Sequence, residues 1–200
     1  MCANSLDEKF KGYIREMYEG TLRMNRLIDT LLNFSSVKRV KIRREKIDLS
    51  KMAEEVALGL KSSEPERRVL IRIAKGIVVC GDTSLLRVVL DNLIGNAWKY
   101  TCNREGAVIE CGVTKVEERP ACYIRDNGNG FDMAHAENLF IPFQRLPGAE
   151  EIRGHGVGLA TAERIIKCHG GKAWAVGEPD KGATFYFTLS GDSPIEGEMV

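Results

Sequence analysis

No stretch of this 200-residue chain approaches the roughly 18 to 20 consecutive apolar residues that a bilayer-crossing helix requires. The longest apolar runs, such as Ile77-Val78-Val79-Cys80, are strand-sized. Asp7, Glu8 and Lys9 stand where a secretory signal needs an apolar core, so the expectation is a soluble, cytoplasmic chain without membrane contact. Charge of one sign is also missing. With 29 Lys and Arg against 28 Asp and Glu, bulk electrostatics marks neither a nucleic-acid nor a polybasic membrane binder. The six cysteines contain no C-x-x-C pair and no histidine at zinc-finger spacing, so they read as buried thiols in a reducing compartment. A G-x-x-x-x-G-K-[ST] phosphate loop is absent, and the G-x-G-x-G run comes too late for the first strand-turn-helix of a dinucleotide fold. A composition of 44% hydrophobic and 28% charged residues leaves an ordinary globular protein.

What is present begins with helical spacing. Apolar residues recur at Phe10, Ile14, Met17, Met24, Ile28 and Leu31, with Thr21 and Ser35 in the remaining places, which predicts a long helix over 6–37 with a seam. Tyr13, Leu27 and Leu32 widen that stripe, so other helices must cover it and a homodimer through this helix is expected. Residues 38–46 hold six basic side chains in nine but no aromatic residue for base stacking, and read as a solvated connector. Asp48 or Ser50 caps a helix to about residue 60, and strands are expected over 68–73 and 77–80. Asp82 or Thr83 opens a helix through 99. Strands over 107–113 and 121–125, a glycine-rich loop region, a helix over 158–169 and strands over 172–176 and 183–189 complete the pattern. The order predicts an α/β protein, a two-layer α/β sandwich preceded by a long helix. The expected organisation is helix and connector at 1–45, a globular domain at 46–190 and a frayed tail at 191–200.

Ten of the 20 glycines lie between Gly128 and Gly182, so backbone there must bend or be approached closely. Asp126-Asn127-Gly128-Asn129-Gly130 follows a strand, and Gly154-His155-Gly156-Val157-Gly158-Leu159 precedes a helix. The unpaired N–H groups of a helix start favour an anion, which makes the second cluster a candidate phosphate cradle. On the helix from Thr83, Leu86, Leu90, Leu93 and Ala97 form a buried stripe, with Asn92, Asn96 and Lys99 on a polar shelf beside it. Amide oxygens suit Mg²⁺, and an ammonium neutralises phosphate. A plain hairpin, a plain helix entry and amides bonded to nearby backbone are the alternative readings of the three features taken singly.

Together the boxes are more specific. Asn92-Leu93-Ile94-Gly95-Asn96-Ala97-Trp98-Lys99-Tyr100, the Asp126 cluster with Phe131, Phe140-Ile141-Pro142-Phe143, the Gly154 cluster and Gly182-Ala183-Thr184-Phe185 follow in that order. This series resembles the N, G1, F, G2 and final glycine boxes of sensor histidine kinases, across roughly 48–189. The resemblance implies the Bergerat ATP-binding fold shared with gyrase, Hsp90 and MutL ATPases, a mixed sheet covered on one face by helices. The first helix looks like the second helix of the family's dimerisation and phosphotransfer hairpin, and residues 142–158 are most similar to phytochrome-type kinases. Carried across, Asp126 would accept from the adenine amino group with Thr184 in support, and Gly128 and Gly130 would admit the base. Asn96, with Asn92, would hold Mg²⁺, Lys99 would meet phosphate, Tyr100 would lie along the purine, and Phe143 would be among the ATP-binding residues. Gly154, Gly156, Val157, Gly158 and Leu159 would present main-chain N–H groups to the phosphates, under a lid over 144–153. ATP and Mg²⁺ are the implied cofactors, and a response regulator the implied partner.

The family transfers the γ-phosphoryl group to a histidine on the first hairpin helix, and none of His135, His155 and His169 lies in the N-terminal helix. The expectation is a catalytic ATP-binding domain without its acceptor, unable to phosphorylate itself efficiently. His155 stands where the family often has a small hydroxyl residue. His169 reads as a helix end at which a cation opposes the dipole. Two other readings stay open: an ATPase of the gyrase, Hsp90 or MutL type, and an interaction domain that keeps the fold without nucleotide.

Overall fold

Short polar side chains set where the elements begin. The computed structural model describes residues 42–146 and 156–190, together with Phe10 and Tyr13, and the chain divides into two compact units, Met1–Val40 and Lys41–Val200. In the first unit Phe10 and Tyr13 are helical and exposed. The rest of the expected seam, most of the expected lid, Gly154, His155 and the tail lie outside the described residues.

The second unit opens with β1 (Glu45–Asp48), which pairs antiparallel with β3 (Val78–Gly81). This strand departs from the expected solvated connector: with one apolar residue among four, it carries almost no local signal, and its pairing exists only in the fold. Asp48 caps α1 (Leu49–Ser63), accepting from Lys51 N at 2.9 Å. Ser50 donates to Ala74 O and accepts from Ile77 N, which pins the turn between β2 (Val69–Ile73) and β3. Asp82 caps α2 (Thr83–Tyr100), accepting from Leu85 N and also from Arg43 N. The expected stripe of Leu86, Leu90, Leu93 and Ala97 is buried, and Val89, Ile94 and Trp98 widen it.

A five-stranded sheet has the order β2-β4-β5-β7-β6, with β4 (Ala107–Val116), β5 (Arg119–Asp126), β6 (Ala173–Glu178) and β7 (Gly182–Phe187). Only β2 and β4 are parallel; the other pairs are antiparallel, so the sheet is mixed. Alternation sends Ile109, Cys111, Ile124, Phe185 and Phe187 to the face that α2 and α3 (Gly158–Cys168) help to cover. The register Gly112, Tyr123, Tyr186, Trp174 runs across the opposite face, where Trp174 and Tyr186 stack at 5.3 Å. A 3-10 helix, Met133–Phe140, occupies part of the expected loop region. This is the two-layer α/β sandwich anticipated from the strand and helix order.

Two expectations need correction. His169 does cap the end of α3, but it is not a cation facing the dipole: its Nε2 accepts from Asp82 N at 3.0 Å, while Nδ1 bonds Ile165 O at 2.8 Å. The accepting nitrogen must keep its lone pair, so the ring is neutral and joins the end of α3 to the start of α2. Among the described cysteines, all free, Cys111 and Cys122 are buried but Cys102 and Cys168 are exposed at helix ends. Burial pushes the Cys111 and Cys122 thiols up to about 12, leaving them unreactive near neutral pH.

Candidate functional site

Three parts of the chain meet at one end of the sheet: the last turns of α2, the bend after β5 and the β6–β7 hairpin. Asp126 closes β5 and is 5% exposed. Its Oδ1 accepts from Gly128 N at 2.9 Å, and Ala183 N–H also donates to the carboxylate. Burial is the dominant influence and raises its pKa to about 6, against those two bonds. Gly128 packs so closely on Tyr100 O that a Cβ there would overlap the carbonyl, while Asn129 N donates to Tyr100 O at 3.2 Å. Gly130 has φ +62°, and any Cβ would overlap Glu178 O. The glycines therefore let the bend lie between α2 and the hairpin.

Residues absent from the expected set hold this bend. Arg104 donates to Gly128 O at 3.1 Å and to Asp180 O, clamping the bend to the hairpin. Asn127 donates to Gly106 O and accepts from Val108 N, tying it to the start of β4. No sequence spacing marks either residue, because each acts on backbone far along the chain.

On α2, Asn92 donates from Nδ2 to Val88 O at 2.8 Å, and its Oδ1, bonded to no described residue, lies against Gly158 at the start of α3. A Cβ on Gly158 would overlap that oxygen, so a side chain there would push the Asn92 amide aside. Asn96 is half-buried and its amide bonds no described residue. Lys99 is exposed in surface area, yet neighbouring protein desolvates its ammonium and lowers its pKa. Tyr100 is half-buried; burial raises its pKa, with the nearby Arg145 charge opposing and Asp126 adding to the rise.

The α3 N-terminus has no side-chain cap among the described residues, so its first N–H groups are left without a capping side chain there. Val157 is buried, Leu159 is half-buried, and Gly156 at φ +69° accepts at its carbonyl from Phe143 N at 2.9 Å. That bond joins the fourth box to the third. Phe143 itself has φ +66° and is 51% exposed, so it is not a core residue. The structure thus gathers Asn92, Asn96, Lys99, Tyr100, Asp126, Gly128, Gly130, Gly156 and Gly158.

Thr184 is not gathered with them. In the register Ala183 faces Asp126 and Thr184 faces Arg125, whose Nε donates to the threonine hydroxyl at 3.3 Å on the other side of the sheet. Support for Asp126 comes from the Ala183 N–H instead, a consequence of strand alternation that a one-residue offset reverses.

Among the described residues no group of three or more His, Cys, Asp or Glu side chains is arranged for a metal. The amide oxygens of Asn92 and Asn96, bonded to no described residue, nevertheless fit a hard cation that takes its remaining ligands from phosphate and water. No described helix is long and apolar enough to cross a membrane.

Residues 81–193 match the family model described as "Histidine kinase-, DNA gyrase B-, and HSP90-like ATPase". The chain is 33% identical over 187 residues to cyanobacterial phytochrome A of Nostoc sp., covering 93% of this chain and 24% of the relative. It is 31% identical over 183 residues to the methanogenesis regulatory histidine kinase FilI of Methanothrix harundinacea, covering 91% of this chain and 20% of that one. The crystal structure of full-length ShkA in complex with AMPPNP superposes with a TM-score of 0.72 at 21% identity, over 94% of this chain and 40% of that one. The chain spans at most about a quarter of the length of these curated relatives.

Proposed function

Since the chain belongs to the family of histidine kinase-, DNA gyrase B- and HSP90-like ATPases, we propose that it supplies the ATP-binding catalytic part of a sensor histidine kinase. It delivers the γ-phosphoryl group of Mg·ATP to a histidine outside this chain, in a pathway that ends on a response regulator. The carrying observation is Asp126, a buried carboxylate with hydrogen-bonding capacity left over, at the bottom of a bend lined by glycine. A buried anion of this kind favours a partner that donates hydrogen bonds, as the adenine amino group does.

In this reading Gly128 and Gly130 admit the base beside Tyr100. Lys99 and the first N–H groups of α3 neutralise the phosphates, with Gly154, Gly156, Val157, Gly158 and Leu159 shaping that contact. Phe143 lies along the rim. Asn96 and Asn92 hold Mg²⁺, which when bound screens the phosphate oxygens as charge shifts towards the leaving group. Positioning and neutralisation are all that phosphoryl transfer asks of the protein here. His169 is no acceptor, because both ring nitrogens are engaged in the interior. Residues 1–45 act as part of a dimerisation hairpin, 46–190 as the catalytic domain and 191–200 as a tail.

Calorimetry with ATP, with and without Mg²⁺, tests the assignment. Asn96→Ala is expected to remove most of the Mg²⁺-dependent affinity, and Asp126→Ala the preference for adenine over guanine nucleotides. Full affinity in both variants would overturn the reading. Robust ATP hydrolysis by the chain alone would favour a gyrase- or Hsp90-type ATPase.

A further inference from the structure

The last turn of α2 is one wall of the nucleotide bend, because Tyr100 O accepts from Asn129 N at 3.2 Å and lies against Gly128. A side chain from the loop between α1 and β2, outside all five boxes of the sequence, grips that turn from behind. We infer, on the nucleotide-binding reading given above, that Arg67 is a positioning residue for this site: set over the Trp98 ring and bonded to the Thr101 hydroxyl, it holds the end of α2 where the bend can close on adenine.

Arg67 is itself fixed. Its backbone N–H donates to Glu64 O at 3.1 Å, the Glu64 carboxylate lies 3.7 Å from its guanidinium, and its side chain is 16% exposed. The guanidinium stands 4.4 Å over the Trp98 ring and donates from Nη2 to Thr101 Oγ1 at 2.9 Å. Thr101 is fully buried at the C-terminus of α2, and its hydroxyl donates to Ala97 O at 2.7 Å. A hydroxyl carries one proton, so this one gives it to the helix and accepts from Arg67. The cation also meets the negative end of the helix dipole.

Trp98 points the same way. It is buried, and among the described residues its Nε1 is the buried side-chain nitrogen left without a hydrogen-bond partner. An orphan N–H is a cost that a phenylalanine would avoid. What the indole supplies is the ring face best suited to a cation, and that face carries Arg67. Trp98 and Thr101 enclose Lys99 and Tyr100 in the chain, so a grip on the outer two fixes the inner two.

The test uses the whole chain and reads ATP affinity by titration calorimetry and amide hydrogen exchange without nucleotide. The Asn129 N–H reports on its bond to Tyr100 O, and the Ile124 N–H, buried in β5, reports on the fold at large. Arg67→Met keeps an apolar stem and removes the fork; it is expected to weaken ATP about tenfold and to quicken exchange more at Asn129 than at Ile124. Arg67→Lys keeps the charge without the planar fork and is expected to behave like Arg67→Met. Thr101→Val is expected to reproduce the loss, and Thr101→Ser to spare it. Because Arg67 and Thr101 share one bond, Arg67→Met combined with Thr101→Val is expected to weaken ATP little more than either change alone. The inference is overturned by wild-type ATP affinity and Asn129 exchange in a folded Arg67→Met, by full recovery in Arg67→Lys, or by losses that add in the double variant. Equal quickening at Asn129 and Ile124 marks lost stability alone and also overturns it, as does an equal effect of Arg68→Met at the exposed neighbouring position. Should Arg67→Met fail to fold, the contrast between Thr101→Val and Thr101→Ser decides. A wild-type chain that binds no ATP overturns the nucleotide assignment, while exchange at Asn129 still decides whether Arg67 holds the bend.

Discussion

Asp126 combines a stability cost with a binding role, and the cost has a sign. Its folded pKa of about 6 lies above the ordinary 3.8, so the fold holds the proton more tightly than the unfolded chain does. The stability this contributes is complete below pH 3.8 and is lost as pH rises through about 6. The displacement corresponds to roughly 3 kcal/mol. Asp126→Asn is thus expected to raise the urea-unfolding free energy at pH 8 by about 1–3 kcal/mol while removing adenine selectivity; unchanged or lower stability would contradict the burial argument. For the wild type, ATP affinity is expected to fall by up to about tenfold per pH unit below 6, as the carboxylate takes up a proton. Arg104 acts on the same bend from outside. Arg104→Ala is expected to cost about 1–2 kcal/mol of stability and about tenfold in ATP affinity, and Arg104→Lys should not restore it, because an ammonium lacks the fork that reaches both carbonyls. Asp126, Asn96 and the glycines were legible in order along the chain. Arg104 was not, since its partners Gly128 and Asp180 are 24 and 76 positions away.

At the level of elements, the approach of α2 to α3 is what brings Asn92 against the start of α3, the proposed phosphate cradle. Gly158→Ala places a methyl group against Asn92 Oδ1. Because Asn92 can swing aside and alanine favours a helix, stability is expected to change by less than about 1 kcal/mol. Mg²⁺-dependent ATP affinity is expected to drop about tenfold, measured by titration calorimetry; an unchanged metal dependence would separate Asn92 from the cation. The starts of α1 and α2 were readable because Asp48 and Asp82 each cap within three residues. β1 was not readable, as its pairing with β3 reaches from Glu45 to Gly81. The Thr184 offset has the same origin: a strand pattern shows alternation, whereas which face meets Asp126 depends on register with a distant strand.

For the molecule as a whole, the described histidines of the unit that carries the site are His135, on the exposed 3-10 helix Met133–Phe140, and His169, which is interior. Incubation of the chain with radiolabelled ATP is expected to leave no abundant acid-labile label, and strong labelling at His135 would overturn that. Concentration-dependent association in sedimentation is expected from the apolar seam at 10–31, and a monomer at every concentration would refute the pairing. Local chemistry was enough to announce an α/β nucleotide domain, because caps, glycine clusters and the Asn92, Asn96, Lys99 spacing depend on neighbours within one turn or one bend. The neutral His169 junction, the Arg104 clamp, the outward-facing Thr184 and the grip of Arg67 on α2 follow from long-range pairing. Such contacts join residues tens of positions apart, and their free energy depends on register and burial, quantities that come into being when the sheet and its helices pack.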